Sequence, residues 1–131
     1  MKYLLDTGVW LWTLFEPDRL SSKAREVIAG TEQEVFLSAA SAWEIAIKSS
    51  SGKLRLPEPA VTFVPRRMAE QGVRPLEVSH QHALSVSQLH PHHRDPFDRL
   101  LAAQANFENM VLVSSDRVFI NYPVELLWAG R

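Results

Sequence analysis

Short apolar runs recur between helix-length stretches along the whole chain, and that alternation restricts its fold more than any other feature. Lys2–Leu5, Glu34–Leu37 and Met110–Val113 have the length and composition of buried strands. Val73–Leu76 reads as a weaker strand because Pro75 lies inside it, and Val124–Leu127 as a final edge strand. Helices are expected at Val9–Phe15, stopped near Pro17, and from Ser21 or Ser22 to Ile28, closed by Gly30. Further helices are expected at Ser41–Ser50, with Trp43, Ala46 and Ile47 as its apolar face and Gly52 as its end, and at Pro59–Gln71, where Pro65 would kink or split the helix. Ser79 is expected to cap a helix to about Leu89, and Asp95 another to about Phe107, with Pro96 at its first position. Leu54–Leu56 before Pro57 reads as an extended connector, and His90–Arg94 as a loop. Strands alternating with helices of this length predict an α/β fold, a central parallel β-sheet flanked by helices on both faces. At 131 residues the chain fits one domain.

Parallel strands bring strand ends and helix starts to one edge of a sheet, where such folds bind ligands. Asp6 ends the first apolar run, and Asp116 follows Met110–Val113 after two serines. Glu44 and Asp98 fall in the first turns of expected helices. Each acid has a local explanation. Asp6 could cap the helix after it. Glu44 could complete a capping box with Ser41 and pair with Lys48 one turn later. Asp98 could answer the helix dipole, and Asp116 could start a turn at Val118 and Phe119. Their joint placement is less easily explained. Four carboxylates in one cleft repel one another unless a cation neutralises them, which points to a divalent metal and to phosphate chemistry.

Other features narrow the choice. The chain has no cysteine, which excludes disulfides and thiolate metal sites and suits a reducing cytoplasm. No apolar run approaches the roughly 18–20 residues of a membrane span, and the opening residues do not read as a signal peptide. A net charge of −1 leaves room only for a short nucleic-acid footprint. His90, His92 and His93 lack the spacing of a helical zinc pair, and His80 and His82 lie two apart on an expected helix. Asp6-Thr7-Gly8 matches the aspartic-protease triplet, but helices dominate the remainder of the chain. A phosphotransfer aspartate of the dehalogenase type would want a second acid where Gly8 stands. Trp10, Trp12, Trp43 and Trp128 read as core and rim packing.

Several stretches together resemble a known family. They are Tyr3-Leu4-Leu5-Asp6-Thr7, Ser41-Ala42-Trp43-Glu44-Ile45, Ser51-Gly52-Lys53-Leu54, the run from His93 to Ala105 that includes Asp95-Pro96-Phe97-Asp98-Arg99, Val113-Ser114-Ser115-Asp116, and Val124–Trp128. The chain resembles PIN-domain endoribonucleases, in particular the VapC-like toxins of type II toxin–antitoxin pairs. The resemblance implies that Asp6, Glu44, Asp98 and Asp116 are the catalytic and metal-binding acids, with Mg2+ as cofactor and Mn2+ as substitute. It implies cleavage of RNA by a metal-activated water, a small VapB-like antitoxin as partner, and a homodimer and toxin–antitoxin hetero-oligomers away from membranes. Gly8 stands where many relatives have histidine, and Ser114 and Ser115 where many have threonine. Thr7, Lys48, Arg94, Arg99, Ser115 and Arg117 are candidates for positioning substrate. Two other readings are a PIN-like module that binds antitoxin or RNA with little catalysis, and a structure-selective DNA nuclease.

Overall fold

The structure, a computed structural model, describes residues 1–89 and 95–131. Five strands form one sheet: β1 (Lys2–Leu5), β2 (Glu34–Ser38), β3 (Arg74–Leu76), β4 (Val111–Ser114) and β5 (Glu125–Trp128). All neighbours are parallel, in the order β3-β2-β1-β4-β5. β1 is central, and its Leu4 lies opposite Phe36 on one side and Leu112 on the other. The strand period of two sends Tyr3 and Leu5 to one face and Leu4 to the other, and β4 repeats this with Val111 and Val113 against Leu112. Each face therefore has its own core. α1 (Thr7–Phe15), α2 (Ser22–Ala29), α3 (Ala39–Ser50) and α4 (Ala60–Gln71) contribute Trp10, Val27, Ile45 and Phe63 to the first. α6 (Pro96–Glu108) and the 3-10 turn Arg117–Asn121 contribute Leu101, Ala105 and Phe119 to the second. α5 (His80–Ser85) packs on α6. The expected α/β/α architecture is present.

The chain steps outward from β1 to β2 to β3, then returns to β4 on the far side of β1. Strand order thus reverses between β1 and β4. Helices leave the sheet in opposite directions there and open a crevice beyond the carboxyl ends of the strands.

Several local expectations shift. α3 starts at Ala39 with Ser38 as its N-cap, whose hydroxyl accepts from the Ala40 N–H at 3.0 Å. Ser41 is therefore inside the helix and fully buried, and Glu44 sits in the second turn rather than the first. The apolar face expected from Trp43, Ala46 and Ile47 points outward, with Trp43 62% and Ile47 44% exposed, while Ile45 is buried. α1 begins at Thr7, two residues before its expected start. Pro65 lies within α4 without ending it, and Gly72 closes that helix in the left-handed region at φ 72°. The helix from Ser79 divides into α5 and a 3-10 turn, Val86–Gln88. Asp95 caps α6 as expected, its carboxylate accepting from the Phe97 N–H at 2.9 Å. The expected His90–Arg94 loop lies outside the described residues.

Candidate functional site

Asp6 and Asp116 stand at the β1/β4 crevice. The Asp6 N–H donates to Val113 O at 2.9 Å, which continues the β1–β4 ladder one step past the strand end. Asp6 holds the N-cap position of α1 but makes no side-chain cap there. Ser114 Oγ instead donates to Asp6 Oδ2 at 2.6 Å and accepts from the Asp116 N–H at 3.0 Å. One buried hydroxyl thus joins the ends of both central strands. Asp116 is exposed and starts a 3-10 turn, its Oδ1 accepting from the Val118 N–H at 3.0 Å. Its local role and its position beside Asp6 coexist.

Glu44 reaches the crevice from α3. Thr7 Oγ1 donates to Ser41 Oγ at 2.8 Å, clamping the start of α1 to α3 within one turn of Glu44. Glu44 is only 6% exposed. Lys48 Nζ donates to its Oε2 at 2.8 Å, while buried Oε1 has no hydrogen-bond partner among the described residues. Asp98 is half-buried in the first turn of α6. Burial chiefly, and then the negative charges of Glu44 and Asp116, push the Asp6 carboxyl above its ordinary 3.8, against the lowering effect of the Ser114 hydroxyl. The Lys48 ammonium is pushed up, first by its hydrogen bond to Glu44 and further by the fields of Glu44, Asp95 and Asp98. Glu44 and Asp116 therefore act on Asp6, and Asp98 acts on Lys48.

The other expected positions fare unevenly. Thr7 is buried in its bond to Ser41. Arg99 reaches Val86 O at 3.2 Å and Tyr122 Oη at 3.5 Å, so it ties α6 to neighbouring turns. Ser115 is half-buried, Arg117 is exposed, and Arg94 lies outside the described residues. The residues that sequence pattern did not single out are the buttresses. Gln104, fully buried on α6, accepts from Ser38 Oγ at 2.6 Å and donates from Nε2 to Glu77 O at 3.2 Å. His82 is buried beside it, with Nε2 2.6 Å from Glu108 Oε2, and its ring completes a capping box with Ser79. Gln104, six positions after Asp98 on the same helix, was the available signal for such a link. Trp43 lies edge-on to Phe97 at 5.2 Å, so α3 and α6 also touch directly beside Glu44 and Asp98.

Among the described residues, no three His, Cys, Asp or Glu side chains stand together as a ready cation cage. Glu44 turns to Lys48 and Asp6 to Ser114. The available donors are nevertheless all carboxylate oxygens, the set preferred by a hard divalent ion that keeps part of its water shell. The partnerless Glu44 Oε1 and the repelled Asp6 carboxylate are both groups that such a cation would relieve. The residues present fit a hydrated divalent metal.

The PIN domain family model matches residues 3–125. Ribonuclease VapC16 of Mycobacterium tuberculosis is 46% identical over 61 residues, which cover 47% of this chain and 43% of that relative, so the match spans less than half its length. The crystal structure of VapBC2 from Rickettsia felis, bound to a DNA fragment from its promoter, superposes with a TM-score of 0.77 at 18% identity, covering 99% of this chain and 100% of that one. DNA-bound VapBC from Salmonella typhimurium superposes with a TM-score of 0.72 at 19% identity over 97% of each chain. Similarity at that identity is a likeness of fold.

Proposed function

This chain belongs to the PIN domain family, and we propose that it is a divalent-cation-dependent endoribonuclease, the toxin of a type II toxin–antitoxin pair. The observation that carries this reading is the buried Asp6 carboxylate, set beside the charges of Glu44 and Asp116 at the β1/β4 crevice, where an α/β sheet binds its ligand. The local identity to a VapC ribonuclease supports the choice of RNA as substrate. Residues 1–131 make up one PIN-like domain in this reading, acting in the cytoplasm. Among the described residues no helix is long and apolar enough to cross a membrane.

Asp6 and Asp98 would hold Mg2+, replaceable by Mn2+, and Glu44 and Asp116 would hold its waters or a second ion. When bound, the cation supplies Lewis-acid stabilisation of phosphoryl charge and lowers the pKa of water. The chain's own groups do the rest. Asp6 must be ionised to take part, and the Ser114 hydroxyl favours that form. Ser38, Ser41 and Gln104 fix the height of α3 and hence of Glu44. Exposed Arg117 offers a charge to the RNA backbone beside the crevice, and single-stranded loops, whose bases can be splayed, are the expected targets.

The solvent-facing Trp43, Ala46 and Ile47 form an apolar surface on α3 suited to a VapB-like antitoxin helix. The likeness to VapBC structures supports that partner and a toxin homodimer.

The test is cleavage of labelled RNA and DNA oligonucleotides with Mg2+, with Mn2+ and with EDTA. RNA should be cut only with metal, leaving 5′-phosphate and 3′-hydroxyl ends. Asp6→Asn should lower the rate about 100-fold or more, since several kcal/mol of charge stabilisation are at stake. DNA cleavage alone would establish a DNA nuclease instead. Oligonucleotide binding without cleavage would establish a binding module, and full activity of the Asn variant would refute the site.

A further inference from the structure

Glu44 and Lys48 lie one turn apart on α3, a spacing that ordinarily makes a surface ion pair of minor consequence. Here the two partners differ sharply in environment. The Glu44 side chain is 9% exposed and that of Lys48 49%. A desolvated carboxylate with one oxygen unpartnered thus leans on an ammonium that stands half in water. That ammonium also lies in the field of Asp95 and Asp98 at the start of α6. Lys48 therefore stands on α3 within the negative field of the first acids of α6, a field that a divalent cation would also use.

A divalent ion taking up Glu44 Oε1 would draw on the same carboxylate charge that holds Lys48 at Oε2, so the two cations weaken each other's hold. We propose that Lys48 is an exchangeable counter-ion of the acid crevice: it neutralises Glu44 when no metal is bound, gives way to the divalent ion, and then pairs with a phosphate of the incoming RNA. The proposal rests on the nuclease reading above and adds a role to it. A flexible four-carbon stem with a compact, strongly hydrated charge suits this exchange. A guanidinium locked bidentately onto Glu44 would not release as readily. The half-exposed lysine is placed to turn outward once Glu44 has another cation.

Isothermal titration with Mn2+, thermal melting in EDTA and RNA cleavage kinetics test the exchange on wild type, Lys48→Met and Lys48→Arg. Removing one competing charge should tighten Mn2+ binding about 3- to 10-fold in Lys48→Met. That variant should melt lower than wild type in EDTA, because Glu44 is then buried without a partner, and should gain more from added Mn2+. At saturating Mn2+ its KM for single-stranded RNA should rise by a similar factor, with kcat changed less. Lys48→Arg keeps the charge and should bind Mn2+ as wild type or more weakly. If Lys48→Met does not fold, Lys48→Gln takes its place with the same expectations. Wild-type or weaker Mn2+ affinity in the neutral variant overturns the exchange. Failure of the wild-type protein to bind Mn2+ at all overturns the nuclease reading itself.

Discussion

At the carboxyl end of β4, the Ser114 hydroxyl donates a hydrogen bond to the Asp6 carboxylate and accepts one from the Asp116 N–H, so a single oxygen ties the two residues together. Because the Asp6 pKa is raised in the fold, its protonated form is the one the fold favours. The stability it contributes is full below its ordinary 3.8 and is lost as pH rises through the higher folded value. Cation binding needs the ionised form, so the acid limb of the pH–rate profile should follow this group. Ser114→Ala removes a lowering influence and should move that limb to higher pH. Cleavage at mildly acidic pH should fall about threefold to tenfold more than at alkaline pH. Rates measured across pH at saturating metal would check this, and an unmoved limb would show that Asp6 is not the titrating group. The placement of Asp6 and Asp116 after strands and of Asp98 in a first turn was legible from local pattern, as was the Glu44–Lys48 pair, although Glu44 falls one turn later than expected. The Asp6–Ser114 bond and the Thr7–Ser41 clamp were not, since those residues look like ordinary small polar residues until the strands are paired.

Among the elements, α3 shows where local pattern misleads. Ser41-Ala42-Trp43-Glu44 has the form of a capping box, but Ser38, three residues earlier, caps the helix. The choice is made by the sheet, because β2 stays paired with β3 as far as Ser38 and leaves the helix free to begin at Ala39. That earlier start also moves Ser41 and Glu44 to the buried side and turns Trp43 and Ile47 outward. The large apolar residues suggested the wrong face, since the inward face is built of Ala40, Ser41, Glu44 and Ile45. Gln104 holds this arrangement from α6. Gln104→Leu would leave the Ser38 hydroxyl without its acceptor and Glu77 O without its donor. It should cost about 2–3 kcal/mol in urea unfolding, read as a lower midpoint at unchanged slope. A loss within experimental error would mean that water replaces the amide without penalty.

Over the whole molecule, the alternation of strand and helix was enough to predict a parallel sheet with two covered faces, yet it could not order the strands. Order depends on which edges pair, and the reversal between β1 and β4 is what creates the crevice. Since that crevice exists only in the folded sheet, a divalent ion bound there should stabilise the folded state alone. At an Mn2+ concentration about 100 times its dissociation constant, linkage gives about 2.7 kcal/mol, visible as a higher melting temperature that EDTA reverses. Asp6→Asn should show little of that rise while remaining folded. The place of β1 has one more consequence. It is made before the other strands but becomes an interior strand only when β4, more than a hundred residues later, joins it. The crevice between β1 and β4 therefore cannot exist on a growing chain until β4 has been made and has docked.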